Sequence, residues 1–450
     1  MREIELKNAA RVIFAEALKS ADANAAIRRT VRFSGETDLQ IGGETYDLAD
    51  DFANIFAVAV GKAAFPMALA LDKIFGEKLK GGVISGIPTE QTNAEIKNLS
   101  SKWRVFEGGH PLPNESSLAA AQSAFELLKE ADDEKTLVIF LISGGGSAMF
   151  EMPVDDAISL ADLREANRVL VGCGASIAEI KAIRRAFSKV KGGGLAGFAP
   201  RAAQVSLIIS DTETGDEKSV ASGLTYASEP LDPGELNSIL SRYDLTKKLP
   251  ASIVDFLSRQ SSAKIETPKK LRRFCTLLNN ENAVKYAAEY AATLGFKVKV
   301  AREISGQNVE IGVAEIVGRM NDLLIEVKKG DVACLVSGGE FSCPVRGAGI
   351  GGRNSEAVLR MALMMGENKI NCRETAFLSA GTDGIDGNSL AAGAICDAQT
   401  IARAREINLN AQEHLENSDS FSFFNELGAT VTTGATGTNV RDLRILLARK

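Results

Sequence analysis

Apolar residues along the chain fall into short continuous runs that alternate with amphipathic stretches. The runs at 55–60, 137–142 and 205–209 consist mainly of aliphatic and aromatic side chains, as is typical of parallel strands buried on both faces. A glycine-rich or acidic turn follows each run, and a helical pattern recurs between them. This repetition predicts an α/β protein with parallel or mixed sheets, whose ligand sites lie at the carboxyl edges of the strands.

Chain length and a change of pattern near residue 275 predict two domains. A chain of 450 residues is too long for one hydrophobic core. Residues 231–274 carry prolines, serines and a lysine-rich patch, which favours a helical connector, and a strand, a helix and a second strand are predicted directly afterwards. We therefore expect an N-terminal domain over residues 1–274 and a C-terminal domain over residues 275–450.

The charge balance limits the expected classes of binding partner, and the cysteine pattern indicates the cellular compartment. The chain has 52 Lys and Arg against 58 Asp and Glu, a formal charge of -6, and no basic tract, so neither nucleic acid nor an anionic membrane is an expected partner. No apolar run reaches membrane-spanning length, and the first helical pattern lacks the apolar core of a signal peptide. Six cysteines without CxxC spacing favour reduced thiols, and a cytoplasmic location is expected.

Two glycine clusters follow one apolar strand within residues 331–359. Glycine lets backbone amides approach an anion closely, and the helix predicted after the second cluster adds the positive end of its dipole. Arg346 and Arg353 flank that cluster, and a guanidinium fits phosphate or carboxylate oxygens. Glu340 follows the first cluster and would face a metal or a reacting hydroxyl. The pattern indicates phosphoryl transfer; a surface hairpin with solvated arginines is the alternative.

The N-terminal half offers its own candidates at strand ends. Lys62 follows Gly61 after the first apolar run, but Phe56 stands where a P-loop requires glycine, so this is not a Walker lysine. The small residues of 143–147 would leave backbone amides free to bind an anion. His110 lies between glycines and prolines before a predicted helix. A solvated turn lysine and a structural histidine are the alternatives.

Acidic and basic groups accompany these loops. Asp211 leads a run of carboxylates after the strand at 205–209, and Asp383 lies on a glycine-rich loop after a later strand. Carboxylates in such positions suit Mg²⁺, which takes one or two acids together with phosphate oxygens, although a merely acidic surface loop is the alternative. Arg184-Arg185 and Lys191 adjoin a triple glycine and would attract an acidic substrate, or they form a solvated helix end.

Taken in order, the motifs closely resemble those of the class II glycerate kinases, whose C-terminal domain is called MOFRL. The resemblance runs along essentially the whole chain. It is carried by Val60-Gly61-Lys62-Ala63-Ala64, Gly109-His110-Pro111, Ser143-Gly144-Gly145-Gly146-Ser147, Lys191-Gly192-Gly193, Ser337-Gly338-Gly339-Glu340, Gly351-Gly352-Arg353-Asn354, Ala380-Gly381-Thr382-Asp383-Gly384-Ile385-Asp386-Gly387 and Thr436-Gly437-Thr438-Asn439-Val440.

The resemblance implies an α/β fold of two domains, a larger Rossmann-like N-terminal domain and a smaller C-terminal MOFRL-type domain, with the active site in the cleft between them. It implies ATP- and Mg²⁺-dependent phosphorylation of D-glycerate to 2-phosphoglycerate. The expected partners are therefore ATP and a small acid. Whether the protein forms a homodimer is left open.

The resemblance also implies roles for individual residues. The implied catalytic residues are Lys62, Arg353, Asp211 and Glu340. The implied substrate- or phosphate-binding residues are Ser143, Gly144, Gly145, Gly146, Ser147, His110 and Lys191. The implied nucleotide-binding residues are Gly338, Gly339, Gly349, Gly351, Gly352, Asn354, Thr382 and Asp383. The implied metal ligands are Asp211, Glu340 and Asp383; which acid binds metal and which accepts the hydroxyl proton stays open.

Departures from the family pattern leave the identity of the substrate open. Two functions other than that of a kinase are also alternatives. The chain differs from the pattern at Lys181, Ala186, Phe187, Gly194, Leu224 and Leu390. A related hydroxy or sugar acid is therefore an alternative substrate. Residues 347–352 formally satisfy GxGxxG, so an NAD(P)-dependent hydroxypyruvate reductase is a second alternative, and a non-catalytic sensor is the third.

Overall fold

The computed structural model describes residues 5–228, 232–259, 272–302, 304–372 and 374–450. The helices of this part of the chain are α1 (Leu6–Ser20), α2 (Ala23–Thr30), α3 (Ala64–Phe75), α4 (Glu90–Ile96), α5 (Glu115–Glu130), α6 (Gly146–Met149), α7 (Leu160–Gly172), α8 (Ile177–Ala186), α9 (Pro233–Arg242), α10 (Leu245–Lys248), α11 (Ala251–Arg259), α12 (Asn280–Thr293), α13 (Val309–Glu326), α14 (Arg353–Gly366), α15 (Thr400–Glu406), α16 (Ala411–Glu416) and α17 (Ser420–Glu426). The strands are β1 (Val31–Phe33), β2 (Asp38–Ile41), β3 (Glu44–Asp47), β4 (Asn54–Val60), β5 (Leu79–Gly86), β6 (Trp103–Glu107), β7 (Thr136–Ile142), β8 (Ala203–Ile209), β9 (Arg272–Leu278), β10 (Lys297–Ala301), β11 (Val332–Gly338), β12 (Glu374–Gly381), β13 (Gly393–Asp397), β14 (Thr430–Val431) and β15 (Asp442–Arg449).

The chain forms two compact units whose bounds differ from the predicted domains. The N-terminal unit is Ala23–Leu277, and the C-terminal unit is Leu278–Lys450 together with α1. The prediction placed α1 in the N-terminal domain, but α1 buries Ile13 and Phe14 in the core of the C-terminal unit. Likewise β9, predicted to begin the C-terminal domain, forms an edge of the N-terminal sheet beside β8. The packing of α1 and the pairing of β9 decide to which unit each element belongs, and local sequence patterns contain no information about either contact.

The main sheet of the N-terminal unit has the strand order β6-β5-β4-β7-β8-β9. The neighbours from β6 to β8 pair in parallel, and β4, β7 and β8 are buried almost throughout. This is the doubly wound Rossmann order, so the predicted Rossmann-like fold is confirmed. The order reverses between β4 and β7, and ligands of such sheets bind at the carboxyl ends of the strands at that point. A separate antiparallel sheet of β1, β2 and β3 was not predicted.

The C-terminal unit is built on a mixed sheet with the order β10-β11-β15-β12-β13-β14. Strand β15 lies between β11 and β12 and is antiparallel to both. Its first residues therefore lie beside the last residues of those strands, with Leu443 opposite Gly338 and Asp442 opposite Gly381. The C-terminal strand of the protein thus delivers charged side chains to the edge that carries the predicted glycine loops.

Part of the predicted connector lies outside the described residues. Within 231–274, the described residues form α9, α10, α11 and the start of β9, whereas residue 231 and residues 260–271 are not described. None of the helices in the described ranges combines the length and apolar character needed to cross a bilayer.

Candidate functional site

In the N-terminal unit, the loops after β4 and β7 are hydrogen-bonded to each other at the reversal of strand order. The backbone N–H of Lys62 donates to the carbonyl of Gly144 at 2.9 Å, and the N–H of Ala63 donates to Oγ of Ser143 at 3.0 Å. Lys62 therefore begins its loop at the carboxyl end of a central parallel strand, as predicted. We call Lys62, His110, residues 143–147 and Asp211 the switch-point cluster.

Glycines of the β7 loop allow three polar side chains to pack against its backbone. A Cβ on Gly144 would overlap with the carboxylate of Asp211. A Cβ on Gly145 would lie 3.1 Å from Cδ2 of His110 and 3.3 Å from Cγ of Lys62. Gly145 also has φ +80°, a conformation that side chains rarely adopt. The structure thus brings together the predicted lysine, histidine and carboxylate around the predicted glycine loop.

Two serines of this loop have structural partners. The Ser143 hydroxyl, 1% exposed, donates to the carbonyl of Val60 at 3.2 Å while accepting from Ala63, so it joins two strand ends and is not available to a phosphate. Oγ of Ser147 lies 2.6 Å from Oγ of Ser222. Ser222 and Ala221 both have positive φ, 62° and 50°, and this strained segment was not recognised in the sequence.

Lys191, predicted to bind substrate or phosphate, lies inside the N-terminal unit. Its side chain is 1% exposed and forms an ion pair with Glu151, whose Oε1 also accepts a 2.5 Å hydrogen bond from Ser188. Burial lowers the pKa of Lys191, and Glu151 opposes this shift. The placement corrects the prediction, because a buried, paired ammonium supports the surrounding turns and does not reach a ligand.

In the C-terminal unit, Arg353 is the centre of an ion-pair network at the start of α14. Its Nε lies 2.6 Å from Oδ2 of Asp442, and its Nη2 lies 2.9 Å from Oδ1 of Asp442 and 2.8 Å from Oε1 of Glu340. Burial alone would lower the pKa of Arg353, but the two carboxylates raise it above its usual range. Asp442 is fully buried and was not recognised in the sequence; the detectable signal was an acidic residue opening a largely apolar strand that also carries Arg444 and Arg449.

The N-terminus of α14 is already occupied by a carboxylate. Asp386 accepts hydrogen bonds from the N–H of Asn354 at 2.9 Å, the N–H of Ser355 at 2.8 Å and the hydroxyl of Ser355 at 2.6 Å. The prediction that this helix N-terminus receives a phosphate is therefore wrong for these amides. The same capping argues against a dinucleotide fingerprint at residues 347–352, because pyrophosphate would need the amides that Asp386 holds.

The glycines of the first cluster, Gly338 and Gly339, allow neighbouring side chains to pack against the end of β11. A Cβ on Gly338 or Gly339 would overlap with the side chains of Asn280 and Ser305, respectively. The buried guanidinium of Arg444 donates to the carbonyls of both glycines, the contact with Gly339 measuring 3.0 Å. Burial lowers the pKa of Arg444 to about 10. These glycines were predicted to bind nucleotide, but their conformation and carbonyls are used to hold the end of β11.

Three glycines of the predicted nucleotide-binding set line one pocket in the described part of the C-terminal unit. A cavity of about 430 Å³ in the C-terminal unit is lined by Gly349, Gly351, Gly352 and Arg353, together with Phe341 and other residues.

The remaining members of that set have other environments. Asn354 is buried and accepts from the hydroxyl of Ser379 at 2.6 Å. Thr382 is buried and donates to the carbonyl of Arg441 at 2.7 Å, so both side chains are structural. Asp383 is half-buried, and its Oδ1 accepts from the N–H of Ile385 at 3.1 Å.

Arg346 does not share the surroundings of Arg353, although the sequence placed both around one glycine cluster. Its Nη1 lies 3.5 Å from Oε1 of Glu356, and its side chain lines a different cavity, of about 520 Å³, with Arg360 and Glu310. The two guanidiniums therefore line different cavities.

The predicted metal ligands do not form a preassembled cage. No group of three or more His, Cys, Asp or Glu side chains suited to a metal ion occurs among the described residues. Asp211 is half-buried beside Gly144, whereas Glu340 is engaged by Arg353. A carboxylate such as Asp211 fits the way Mg²⁺ binds in phosphoryl-transfer enzymes, where phosphate oxygens and waters supply most of the ligands.

Comparison with known proteins identifies close relatives along the whole chain. A family model described as a domain of unknown function (DUF4147) matches residues 9–258, and the MOFRL family model matches residues 333–442. The glycerate kinase of Danio rerio is 32% identical over 499 residues, covering 98% of this chain and 97% of the relative. The D-glycerate 2-kinase of Thermotoga maritima is 33% identical over 402 residues, covering 87% and 90%.

A solved structure agrees with these relatives. The crystal structure of a glycerate kinase from Thermotoga maritima superposes with a TM-score of 0.78 at 28% sequence identity, covering 98% of this chain and 99% of that chain.

Proposed function

We propose, from the premise that this chain belongs to the glycerate kinase family of enzymes, that it transfers the γ-phosphoryl group of ATP to the 2-hydroxyl of D-glycerate in the presence of Mg²⁺. The products would be 2-phosphoglycerate and ADP. The observation that supports this most directly is the switch-point cluster, in which a lysine, a histidine and a carboxylate lie around one glycine loop at the carboxyl edge of a doubly wound sheet.

The switch-point cluster would supply positive charge that neutralises the oxygens of the transferred phosphoryl group. Phosphoryl transfer requires positioning and neutralisation of charge on the phosphoryl oxygens more than it requires a covalent partner. The backbone of the loop that carries Lys62 is fixed by hydrogen bonds to the β7 loop, so the side chain of Lys62 starts from a fixed position at the strand end. Asp211 would hold Mg²⁺, which when bound neutralises phosphate oxygens.

The C-terminal unit would bind the nucleotide. Its 430 Å³ cavity combines apolar side chains, among them Phe341 and Val345, with glycine backbone and the guanidinium of Arg353. A base and a charged phosphate chain require that combination. Asp442 and Glu340 fix the orientation of the planar guanidinium of Arg353. This group would therefore lose little conformational entropy on binding phosphate oxygens.

The test is the release of ADP from the purified protein with ATP, Mg²⁺ and a panel of D-glycerate, L-glycerate and related hydroxy and sugar acids. Phosphorus NMR of the product then assigns the phosphorylated hydroxyl. We expect turnover with D-glycerate and a signal from phosphate on carbon 2. Phosphate on carbon 3, or turnover only with another acid, would overturn the proposed specificity, and no ADP from any acid would overturn the proposed activity.

A further inference from the structure

Two arginines at the end of α8 are half-buried without a counter-ion. Arg184 and Arg185 occupy the last turn of this helix, and neither guanidinium forms a hydrogen bond or an ion pair within the described ranges. Nε of Arg184 is completely shielded from solvent and has no partner. Burial lowers the pKa of both arginines, since desolvation disfavours the charged form.

The neighbouring carboxylate does not compensate them. Glu151 lies close enough to oppose the pKa shift of Arg184, but its oxygens accept from Lys191, Ser188 and the N–H of Met152. One carboxylate therefore faces two cations, Lys191 and Arg184, while Arg185 beside them has no carboxylate partner among the described residues. Buried cations are normally paired, so this excess of positive charge is unusual for a region with only a structural role.

The helix dipole does not account for the arrangement. Cations in the last turn of a helix gain about 0.3–1 kcal/mol from the negative end of the dipole, but that gain supplies no hydrogen bond to a desolvated Nε. Some exposed arginines of the same unit pair with a carboxylate, for example Arg242 with Glu179 at 2.8 Å. The α8 arginines have no such partner in the described part of the chain, and Nε of Arg184 is shielded from solvent as well.

The arginine pair is connected to the switch-point cluster through hydrogen-bonded backbone. A Cβ on Gly192 would lie 3.0 Å from Cδ of Arg185, so this side chain covers the Gly192 turn. The N–H of Gly192 donates to the carbonyl of Ser222 at 3.1 Å, and Oγ of Ser222 lies 2.6 Å from Oγ of Ser147 in the β7 loop. The strained segment with Ser222 joins the cationic region to the loop proposed to handle the phosphoryl group.

We infer that Arg184 and Arg185 bind the carboxylate of the acceptor substrate and so select small acids over neutral polyols. The inference rests on the proposed function for the identity of that acid. Guanidinium forks bind carboxylates in a bidentate manner, and an incoming anion would supply the partner that both side chains lack. Lys62 of the switch-point cluster would then act on the transferred group.

The test compares Arg185→Gln, Arg184→Gln and Arg185→Lys with the control Arg168→Gln, which removes an exposed arginine of α7 that pairs with Glu165. We expect Arg185→Gln to raise the KM for D-glycerate about 30-fold or more while leaving the KM for ATP unchanged. Arg185→Lys should recover part of the loss, because it restores the charge without the fork. The control should match the wild type.

Two further measurements separate binding from stability. Without ligand, the Tm of the two glutamine variants should equal or exceed that of the wild type, because an uncompensated buried charge has been removed; a clear fall would show a structural role and overturn the inference. Calorimetric titration of D-glycerate, with glycerol as the neutral probe, should show binding of the acid alone, lost in Arg185→Gln.

Different experimental results would contradict the carboxylate site and the proposed kinase function. Normal turnover of D-glycerate with an unchanged KM in the Arg185→Gln variant would overturn the carboxylate site and leave the kinase activity standing. An equal rise of both KM values, or of that for ATP alone, would assign the pair to the donor phosphates and likewise overturn it. If the wild type shows no turnover but binds short hydroxy acids through Arg185, the proposed function fails while the carboxylate site stands.

Discussion

Arg353 and Asp442 form a bidentate ion pair, with Nε 2.6 Å from Oδ2 and Nη2 2.9 Å from Oδ1. The two residues are 89 positions apart in the chain and meet because β15 runs antiparallel between β11 and β12. The carboxylate of Asp442 is almost completely buried, whereas about a third of the arginine side chain is exposed. The pair therefore holds a guanidinium with one side fixed inside the unit and another side available at the 430 Å³ cavity.

Replacing Arg353 with lysine should abolish most of the kinase activity without unfolding the protein. A lysine keeps the charge but cannot span both oxygens of Asp442, so the cation would lose its fixed orientation; we expect kcat to fall about 100-fold or more. The matched control is Arg403→Lys, which alters another arginine of the same unit whose Nη2 lies 2.8 Å and 2.9 Å from the two oxygens of Asp397. Equal activity in both variants would remove Arg353 from the catalytic residues.

Lys62→Met should reduce turnover to a similar extent. Methionine preserves the volume of the stem but supplies no charge at the carboxyl end of β4, and loss of one preorganised electrostatic group costs about 100-fold to 1,000-fold in rate. The control is Lys73→Met, an exposed lysine on α3 in the same unit. The measurement is initial ADP release at saturating ATP and D-glycerate. Activity of the Lys62 variant within the range of the control would show that the lysine is only a solvated turn residue.

The sequence predicted this N-terminal cluster because parallel strands bring their carboxyl ends to one edge of the sheet. Lys62 and the 143–147 loop each follow a continuous apolar run, and the placement of both strands in one parallel sheet was enough to expect them at the same edge. The role of Asp442 was not predictable in this way, since it depends on the insertion of the last strand into the middle of a sheet.

Other failures have the same cause. The capping of α14 by Asp386 joins residues more than 30 positions apart, and the loop glycines predicted to admit a phosphate instead admit neighbouring side chains. Glycine-rich patterns reveal close approach of groups to the backbone, but they do not reveal which group approaches.

Gly144→Ala should impair catalysis by displacing Asp211. The added Cβ would overlap with the carboxylate, and a shift of about 1 Å in a positioned group costs on the order of 100-fold in rate. We also expect a higher Mg²⁺ concentration for half-maximal activity, as for Asp211→Asn. The control is Gly197→Ala, where no atom lies within 4 Å of the new Cβ and no positive φ is required. An unchanged Mg²⁺ dependence in both Gly144→Ala and Asp211→Asn would exclude Asp211 as a metal ligand.

Asp386→Asn should change the pH dependence of stability in a direction fixed by burial. Burial raises the pKa of Asp386 above its ordinary 3.8, although the hydrogen bonds from Ser355 and Asn354 oppose the shift. The folded state therefore holds the proton more tightly than the unfolded state does. As the pH rises above 3.8, the wild type should lose unfolding free energy relative to the variant until the folded pKa has been passed.

The measurement is urea unfolding of both proteins from about pH 4 to about pH 8, and the control is Asp397→Asn. Burial would raise the pKa of Asp397, but Arg403 and Lys7 outweigh it and lower the pKa below 3.8. The contribution of Asp397 is therefore fully present above pH 3.8 and is lost only as the pH falls below that value. Over the measured range the stability difference for Asp397→Asn should stay nearly constant, whereas that for Asp386→Asn should change with pH. A wild type that gains stability relative to Asp386→Asn as the pH rises would show that hydrogen bonding by the α14 amides outweighs burial. Asp386 would then act as a fully ionised cap that excludes a phosphate from this helix.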